Sequence, residues 1–240
     1  MKQKIKITAM SDLHGYLPKE ISQCDIVCIC GDILPLAYQW DKIQSMSWLH
    51  LYFFPWVQSL PCDKVIMIPG NHDFIFEEIG PNSHRTPSEV MKKLLLDYKK
   101  ESKLVILYDN SYEYQGFRFY GFPWIPTLER WAFYKSHDEL VKKCDNIPNN
   151  CDVLLTHCPP RYGRQGLVGQ PNSFNYMSDY GCQELAEAMQ FRNIKWCLSG
   201  HIHSGCHFVE EHHNTNCVNV SLLDEDYKLC YEPFIFEIEK

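Results

Sequence analysis

Seven residues of this chain combine metal-binding side chains with a common placement. Asp12 and His14 follow the apolar run Ile5 to Ala9, within Met10-Ser11-Asp12-Leu13-His14-Gly15, and Asp32 follows Asp25 to Cys30 through Gly31. Asn71 follows Lys64 to Ile68 in Pro69-Gly70-Asn71-His72-Asp73. His157 follows Val153-Leu154-Leu155-Thr156, and His201 and His203 follow Trp196-Cys197-Leu198-Ser199-Gly200. Oxygen and imidazole donors without thiolates suit zinc, manganese, iron or magnesium. Seven donors exceed what one tetrahedral ion takes, and they suit two divalent ions about 3.5–4 Å apart that share a carboxylate. Asp32, a lone carboxylate on a short tether, is the natural bridge. Such a pair of ions binds the oxygens of a phosphate ester and lowers the pKa of water, so that hydroxide exists near neutral pH.

A single His or Asp at the end of an apolar run is ordinarily a cap or a loop hydrogen-bonding residue. Joint placement separates these seven from His50, His84, His137 and His207, which read as surface or satisfied core histidines. The tandem His212-His213 with Asn214 reads as a polar turn between strands.

The elements that must position the donors are short and rich in β-branched residues. Ile5 to Ala9, Asp25 to Cys30, Lys64 to Ile68, Leu104 to Leu107, Phe117 to Gly121, Asp152 to Leu155, Lys195 to Leu198 and Phe234 to Ile238 read as strands. Helical periodicity lies between several of them, in Pro87 to Glu101 and Gly181 to Phe191. The alternation argues for an α/β or mixed layered fold. Beyond the carboxyl ends of parallel strands lies the crevice in which such folds bind ligands, so the five donor-bearing loops are expected to converge there. Gly31, Gly70 and Gly200 each precede a candidate ligand, as a tight turn requires. Pro123 to Pro148, with Trp124, Trp131, Phe133 and Tyr134, reads as a surface excursion carrying a short helix; its rings either wall a pocket for a base or simply pack.

Asp-x-His, Gly-Asp, Gly-Asn-His-Asp, a His after a strand, and Gly-His-x-His, in that order from Asp12 to His203, resemble the calcineurin-like metallophosphoesterase superfamily. Thr156-His157-Cys158-Pro159-Pro160, Trp131-Ala132-Phe133 and Asn219-Val220-Ser221 resemble more narrowly the metallophosphoesterase-domain-containing branch of phosphodiesterases. The resemblance implies a four-layer α/β fold, a sandwich of two mixed β-sheets flanked by helices. It implies one metal held by Asp12, His14, Asp32 and His203 and the other by Asp32, Asn71, His157 and His201. His72 would be the catalytic residue that faces substrate and protonates the leaving oxygen, a role worth about 10²–10⁴-fold in rate; Asp73 is a candidate to orient it. The expected activity is phosphodiester hydrolysis, cyclic nucleotides included, by hydroxide bridging the two ions. A phosphomonoesterase with the same dinuclear site, or a scaffold that keeps the fold without turnover, are the alternatives. The Asp-Arg pair of the protein serine/threonine phosphatases is missing after Gly31-Asp32, which argues against that activity; Arg161 and Arg164 are either a substitute phosphate clamp or solvated loop charges.

With 240 residues, 45% of them hydrophobic, the chain is expected to form one domain spanning residues 1–240 with a sizeable core. A net charge of −7 and no basic cluster argue against a nucleic-acid partner; the resemblance implies a small-molecule phosphoester instead. No run is long enough to span a membrane, and nothing resembles a signal peptide, so the expected compartment is the cytoplasm. The 12 cysteines show no C-x-x-C pair and read as small buried hydrophobes in a reducing environment. No motif speaks to oligomeric state.

Two divalent ions set against Asp12, Asp32 and one hydroxide leave a net charge of about +1 to attract phosphate. Asn71 can bind through its carbonyl oxygen without cancelling that charge. Asn71→Asp is therefore expected to weaken phosphoester binding more than metal binding, as read by metal calorimetry beside substrate KM. Unchanged substrate affinity in the variant would contradict this.

Overall fold

The computed structural model describes residues 3–79, 103–169, 177–204 and 207–240. Its strands, in chain order, are β1 (Lys4–Met10), β2 (Ile26–Cys30), β3 (Lys64–Ile68), β4 (Leu104–Ile106), β5 (Ser111–Tyr114), β6 (Phe117–Phe122), β7 (Asn150–Thr156), β8 (Asn193–Ser199), β9 (Glu210–His212), β10 (Thr215–Asn219) and β11 (Phe234–Glu239). They form a sheet of order β11-β1-β2-β3-β4 and another of order β5-β6-β7-β8-β10-β9. β1 to β4 run parallel with β11 antiparallel at the edge. β6, β7, β8 and β10 run parallel, and β5 and β9 are antiparallel edges. Both sheets are therefore mixed, as the resemblance implies.

The period of two along each strand assigns the layers. Ile26, Cys28 and Cys30 share a core cluster with Phe117, Phe119, Val153 and Leu155, which fills the space between the sheets. The alternate residues Val27 and Ile29 pack with Leu49, Phe53 and Val57 of a helical layer. Every residue of β2 is buried, which is why the run reads as continuously apolar. On the second sheet Leu154 and Cys197 cluster with Leu140 and Cys144 of helix His137–Asp145 and with Leu185 and Met189 of helix Gln183–Met189.

The helical layer over β2 and β3 is not evident in the sequence. It runs as α1 (Lys42–Trp48), a π-turn (Leu49–Phe53) and α2 (Phe54–Ser59). The π-turn inserts a residue into the apolar spacing, so Trp48, Leu49, Phe53, Phe54 and Val57 depart from the 3.6-residue period, and Pro55 sits where a reader expects a break. Asp41 caps the start, its carboxylate accepting from the Ile43 and Gln44 amides at 2.9 and 3.0 Å. A third helix, α3 (Phe74–Ile79), leaves the loop after β3; the helices His137–Asp145 and Gln183–Met189 are α4 and α5. The helix expected in Pro87 to Glu101 falls outside the described residues. Residues 123–148 do carry a short helix, α4, but not as a surface excursion: Trp124, Ile125, Ala132 and Phe133 are buried in the helical layer of the core.

β5, β9 and β10 are further strands that polarity conceals. His212 closes β9 and is buried, with Nε2 meeting the Ala186 carbonyl at 3.3 Å; only His213 and Asn214, with φ of 46° and 65°, form the expected turn. The described cysteines are free thiols, and nine of the eleven are buried, which agrees with their reading as small hydrophobes. Among the described residues no helix is long and apolar enough to cross a membrane.

Phe53 is fully buried and its ring lies 6.1 Å from that of Trp48 and 5.9 Å from that of Trp56. Phe53→Ala is expected to cost about 3–5 kcal/mol, measured by urea unfolding. A loss below about 1 kcal/mol would show that the π-turn helix is not part of the cooperative core.

Candidate metal centre

The five donor-bearing loops leave β1, β2 and β3 of one sheet and β7 and β8 of the other, all at carboxyl ends. The first two are laced together: the Asp12 amide donates to the Gly31 carbonyl at 3.0 Å, His14 to that of Asp32 at 2.9 Å and Gly15 to that of Ile33 at 3.0 Å. Asp12, His14, Asp32 and His201 all hold positive φ, at 55°, 41°, 54° and 68°. Such backbone costs about 1–3 kcal/mol per residue and persists only where surroundings over-determine it, which concentrates it at functional sites. Close approach explains two glycines. A Cβ at Gly70 would stand 2.3 Å from Asp32 Oδ1 and 2.6 Å from His157 Cε1, and one at Gly200 would stand 2.3 Å from Asp12 Oδ2.

All seven sequence-predicted donors come together. Asp12, His14 and His203 form one group whose donor atoms lie within 4.8 Å of one another; Asp12, Asp32 and His157 form a second and His14, Asp32 and His72 a third. Asn71 Oδ1 stands 2.8 Å from His157 Nε2 and 2.7 Å from His201 Nδ1, which adds those residues to the Asp32 side. By distance alone His72 is not separated from the donors, since its Nε2 and that of His14 are both 3.8 Å from Asp32 Oδ2.

The electrostatics of the cluster suit cations. Asp12 and Asp32 are buried, and burial pushes both carboxyls up, but the histidines outweigh it. The bond from His203 brings Asp12 down to about 2, and His157 leads the set that holds Asp32 well below the usual carboxylate range. Burial pulls His157 and His203 down, yet Asp32 and Asp12 respectively raise them to about 9, so each carboxylate demands a positive charge beside it. His14 and His201 go the other way, lowered by burial to about 4 and about 3. Both ring nitrogens of His14 are buried and have no hydrogen-bond partner among the described residues. An orphaned imidazole costs about 1–3 kcal/mol for each unmet group, and a divalent cation is the partner that its neutral nitrogen, beside Asp12 and Asp32, fits. His157 and His203 show the outer bonds that orient metal-binding imidazoles: Nδ1 of His157 meets the Cys30 carbonyl at 2.8 Å and Nδ1 of His203 that of Asp224 at 2.9 Å.

Asp73 does not orient His72. It is buried and accepts from the amides of Ile33 and Leu34 at 3.0 Å and of Gly70 at 2.9 Å, so it locks the loop after β2 to the loop after β3. Burial first and Asp32 second raise its carboxyl to about 7. Asn219 does the same for the histidine loop, its amide donating to the carbonyls of Ile202 at 2.9 Å and Gly200 at 3.3 Å. The guanidiniums of Arg161 and Arg164 are exposed loop charges, one 3.6 Å from Asp179 and the other over the Phe208 ring. His50 and His137 are exposed and half-buried His207 bonds the Ser221 carbonyl, as expected of residues outside the site; His84 lies outside the described residues. Sequence reasoning missed Tyr227, whose ring lies 5.0 Å from those of both His14 and His203 on a backbone with φ of 60°. It also missed Gln39, which bonds His72 Nδ1. Neither residue sits in a motif or at a strand end.

The family profile for calcineurin-like phosphoesterases matches residues 5–205, a span that contains every donor above. The chain belongs to the calcineurin-like phosphoesterase family. A UPF0046 protein of Caenorhabditis elegans is 30% identical over 246 aligned positions, covering 99% of this chain and 82% of that protein. The human metallophosphoesterase domain-containing protein 1 is 28% identical, covering 97% of this chain and 71% of its own length. The phosphopantetheinyl hydrolase of Mycobacterium tuberculosis has the same fold, with a TM-score of 0.52 at 14% identity over 92% of this chain and 90% of that one. As a family member the chain is read as a hydrolase of phosphoric esters with a metal-binding site.

Asp73→Ala leaves three buried amides without an acceptor, at about 1–3 kcal/mol each before relaxation. The expected result is a stability loss of about 2–4 kcal/mol with a 10–100-fold weaker metal affinity, read by urea unfolding and metal titration. Full metal affinity in a destabilised variant would show that the loop lock serves folding alone.

Proposed function

We propose that this protein is a single-domain, cytoplasmic phosphodiesterase in which Asp12, His14, Asp32 and His203 hold one divalent ion and Asp32, Asn71, His157 and His201 a second. The observation that carries the reading is the overlap of donor groups on Asp12 and Asp32, with His14 presenting two unpartnered nitrogens between them. Ions held there would neutralise phosphate oxygens and make water acidic enough to act as a nucleophile near neutral pH.

The chain's own residues then divide the work. Asp12 and Asp32 stay ionised and fix the positive charge at the carboxyl ends of the strands. Asn71 lends oxygen without adding negative charge. His72, with Nε2 turned toward Asp32, is placed to give a proton to the leaving oxygen. The diester preference rests on the surface beside His72. The half-buried ring of Trp131 lies 4.4 Å from it, and the ring of Trp40, 62% exposed, packs 4.0 Å from that of Phe74 and 5.5 Å from that of Trp131. The exposed Trp40 ring offers an apolar face to the organic group of a diester, and a cyclic nucleotide carries a base that could stack there. Free, mostly buried thiols fit the reducing cytoplasm.

The test is hydrolysis of bis-nitrophenyl phosphate beside nitrophenyl phosphate by metal-stripped protein with manganese, zinc or magnesium restored. Metal-dependent cleavage of the diester, lost in Asp32→Ala, is expected. Preference for the monoester would replace the diesterase reading with a phosphomonoesterase, and metal binding without turnover of either ester would replace both with a scaffold.

A further inference from the structure

His72 is gripped on several sides. Its amide donates to Asp32 Oδ1 at 2.7 Å, its ring lies 4.7 Å from that of His14 and 4.4 Å from that of Trp131, and Gln39 Oε1 bonds its Nδ1. Gln39 comes from a different loop, 33 residues away, in the segment between β2 and α1. That segment is itself pinned. The Tyr38 amide donates to the Pro35 carbonyl at 2.9 Å, the Tyr38 carbonyl accepts from the Asp41 amide at 2.9 Å and from Ser45 Oγ at 2.7 Å, and Trp40, the residue after Gln39, packs on Phe74. The backbone that carries Gln39 is thus held by the fold on both sides.

An imidazole that donates from Nδ1 carries its lone pair, or its transferable proton, on Nε2. With Gln39 Oε1 as the acceptor, Nδ1 keeps its hydrogen and Nε2 becomes the working atom, the one that stands 3.8 Å from Asp32 Oδ2. A carboxylate could fix the same tautomer, but it would put another negative charge into a pocket that already buries Asp12, Asp32 and Asp73. A neutral amide orients the ring without that cost.

We propose that Gln39 is the positioning residue of His72, holding it in the Nδ1–H form so that Nε2 faces the ester oxygen. To act as the acid the ring must first take a second proton from solvent on Nε2; as the O–P bond of the leaving group breaks, that proton passes to the departing oxygen and the ring returns to the neutral Nδ1–H form that Gln39 favours. The kinetic half of this inference rests on the phosphoesterase reading; the tautomer half does not.

Two measurements test it. In protein labelled with ¹⁵N-histidine and held near pH 8, the His72 resonances, assigned by their loss in His72→Gln, are expected to show protonated Nδ1 and bare Nε2. Gln39→Met is expected to shift them toward the other tautomer. A wild-type Nε2–H form, or a spectrum unmoved by Gln39→Met, overturns the proposal. In turnover, Gln39→Met is expected to lower kcat at least 10-fold more for a methyl leaving group than for nitrophenyl, with KM little changed. Equal slowing of both leaving groups would mean that Gln39 only supports the loop. Gln39→Glu, which keeps an acceptor but adds a charge, is expected to restore the Nδ1–H tautomer in the NMR spectrum, and the other tautomer in that variant overturns the proposal. If wild-type protein turns over neither ester, the phosphoesterase reading fails while the NMR result still decides the tautomer.

Discussion

The structure depends on the burial of two ionised carboxylates. Asp12 and Asp32 have essentially no solvent contact, and a buried charge is tolerated only when opposite charge and hydrogen bonds compensate it. Much of what is unusual in the surrounding chain answers to that demand. The His72 amide points at Asp32 and the His201 amide at Asp12, at 2.7 and 3.0 Å. His157 and His203 stand 3.4 Å from the two carboxylates. The left-handed residues Asp12, Asp32 and His201 are the local cost of turning the chain so that these groups meet. One group in the cluster is still unsatisfied, since His14 is buried beside both carboxylates with no hydrogen-bond partner among the described residues. Divalent cations held by these donors would complete the compensation.

Neither sheet can build this cluster alone. Loops after β1, β2 and β3 supply Asp12, His14, Asp32 and Asn71, and loops after β7 and β8 supply His157, His201 and His203. The packing of the two sheets through Ile26, Cys28, Phe119 and Val153 is therefore the same event that assembles the donors. His157 makes the coupling visible, since its Nδ1 crosses to the Cys30 carbonyl at the end of β2 while its Nε2 reaches Asn71. Asp73 and Asn219 act at one remove, fixing loops whose positions the apolar core sets only approximately.

What could be read in the sequence follows from the range of the forces involved. Strands that bury both faces, such as β2, are legible because burial leaves an uninterrupted apolar run, and each donor was legible because it follows such a run after a short turn. β5, β9 and β10 were hidden, since strands such as Ser111–Tyr114 and Glu210–His212 alternate polar residues and are held by their neighbours rather than by their own pattern. The helix from Lys42 to Ser59 was hidden by its π-turn. Adjacency to His72 makes Asp73 a candidate to orient it, but adjacency does not encode contact, and the chain turns its carboxylate toward the loop after β2. Gln39 and Tyr227 reach the site through tertiary packing, which no spacing rule encodes. The aromatic segment divided as only the fold could decide: Trp124 and Phe133 entered the core, and Trp131 stayed at the edge of the site.

The most direct test of cation compensation is metal content joined to stability. Protein purified without chelator, dialysed and analysed by plasma mass spectrometry should retain close to two divalent ions per chain, and stripping them should lower the melting temperature in proportion to metal affinity. Protein that retains no ion, and whose melting temperature is indifferent to added manganese or zinc, would show that the buried carboxylates are balanced by the histidines alone and would contradict the assignment of this cluster as a metal centre.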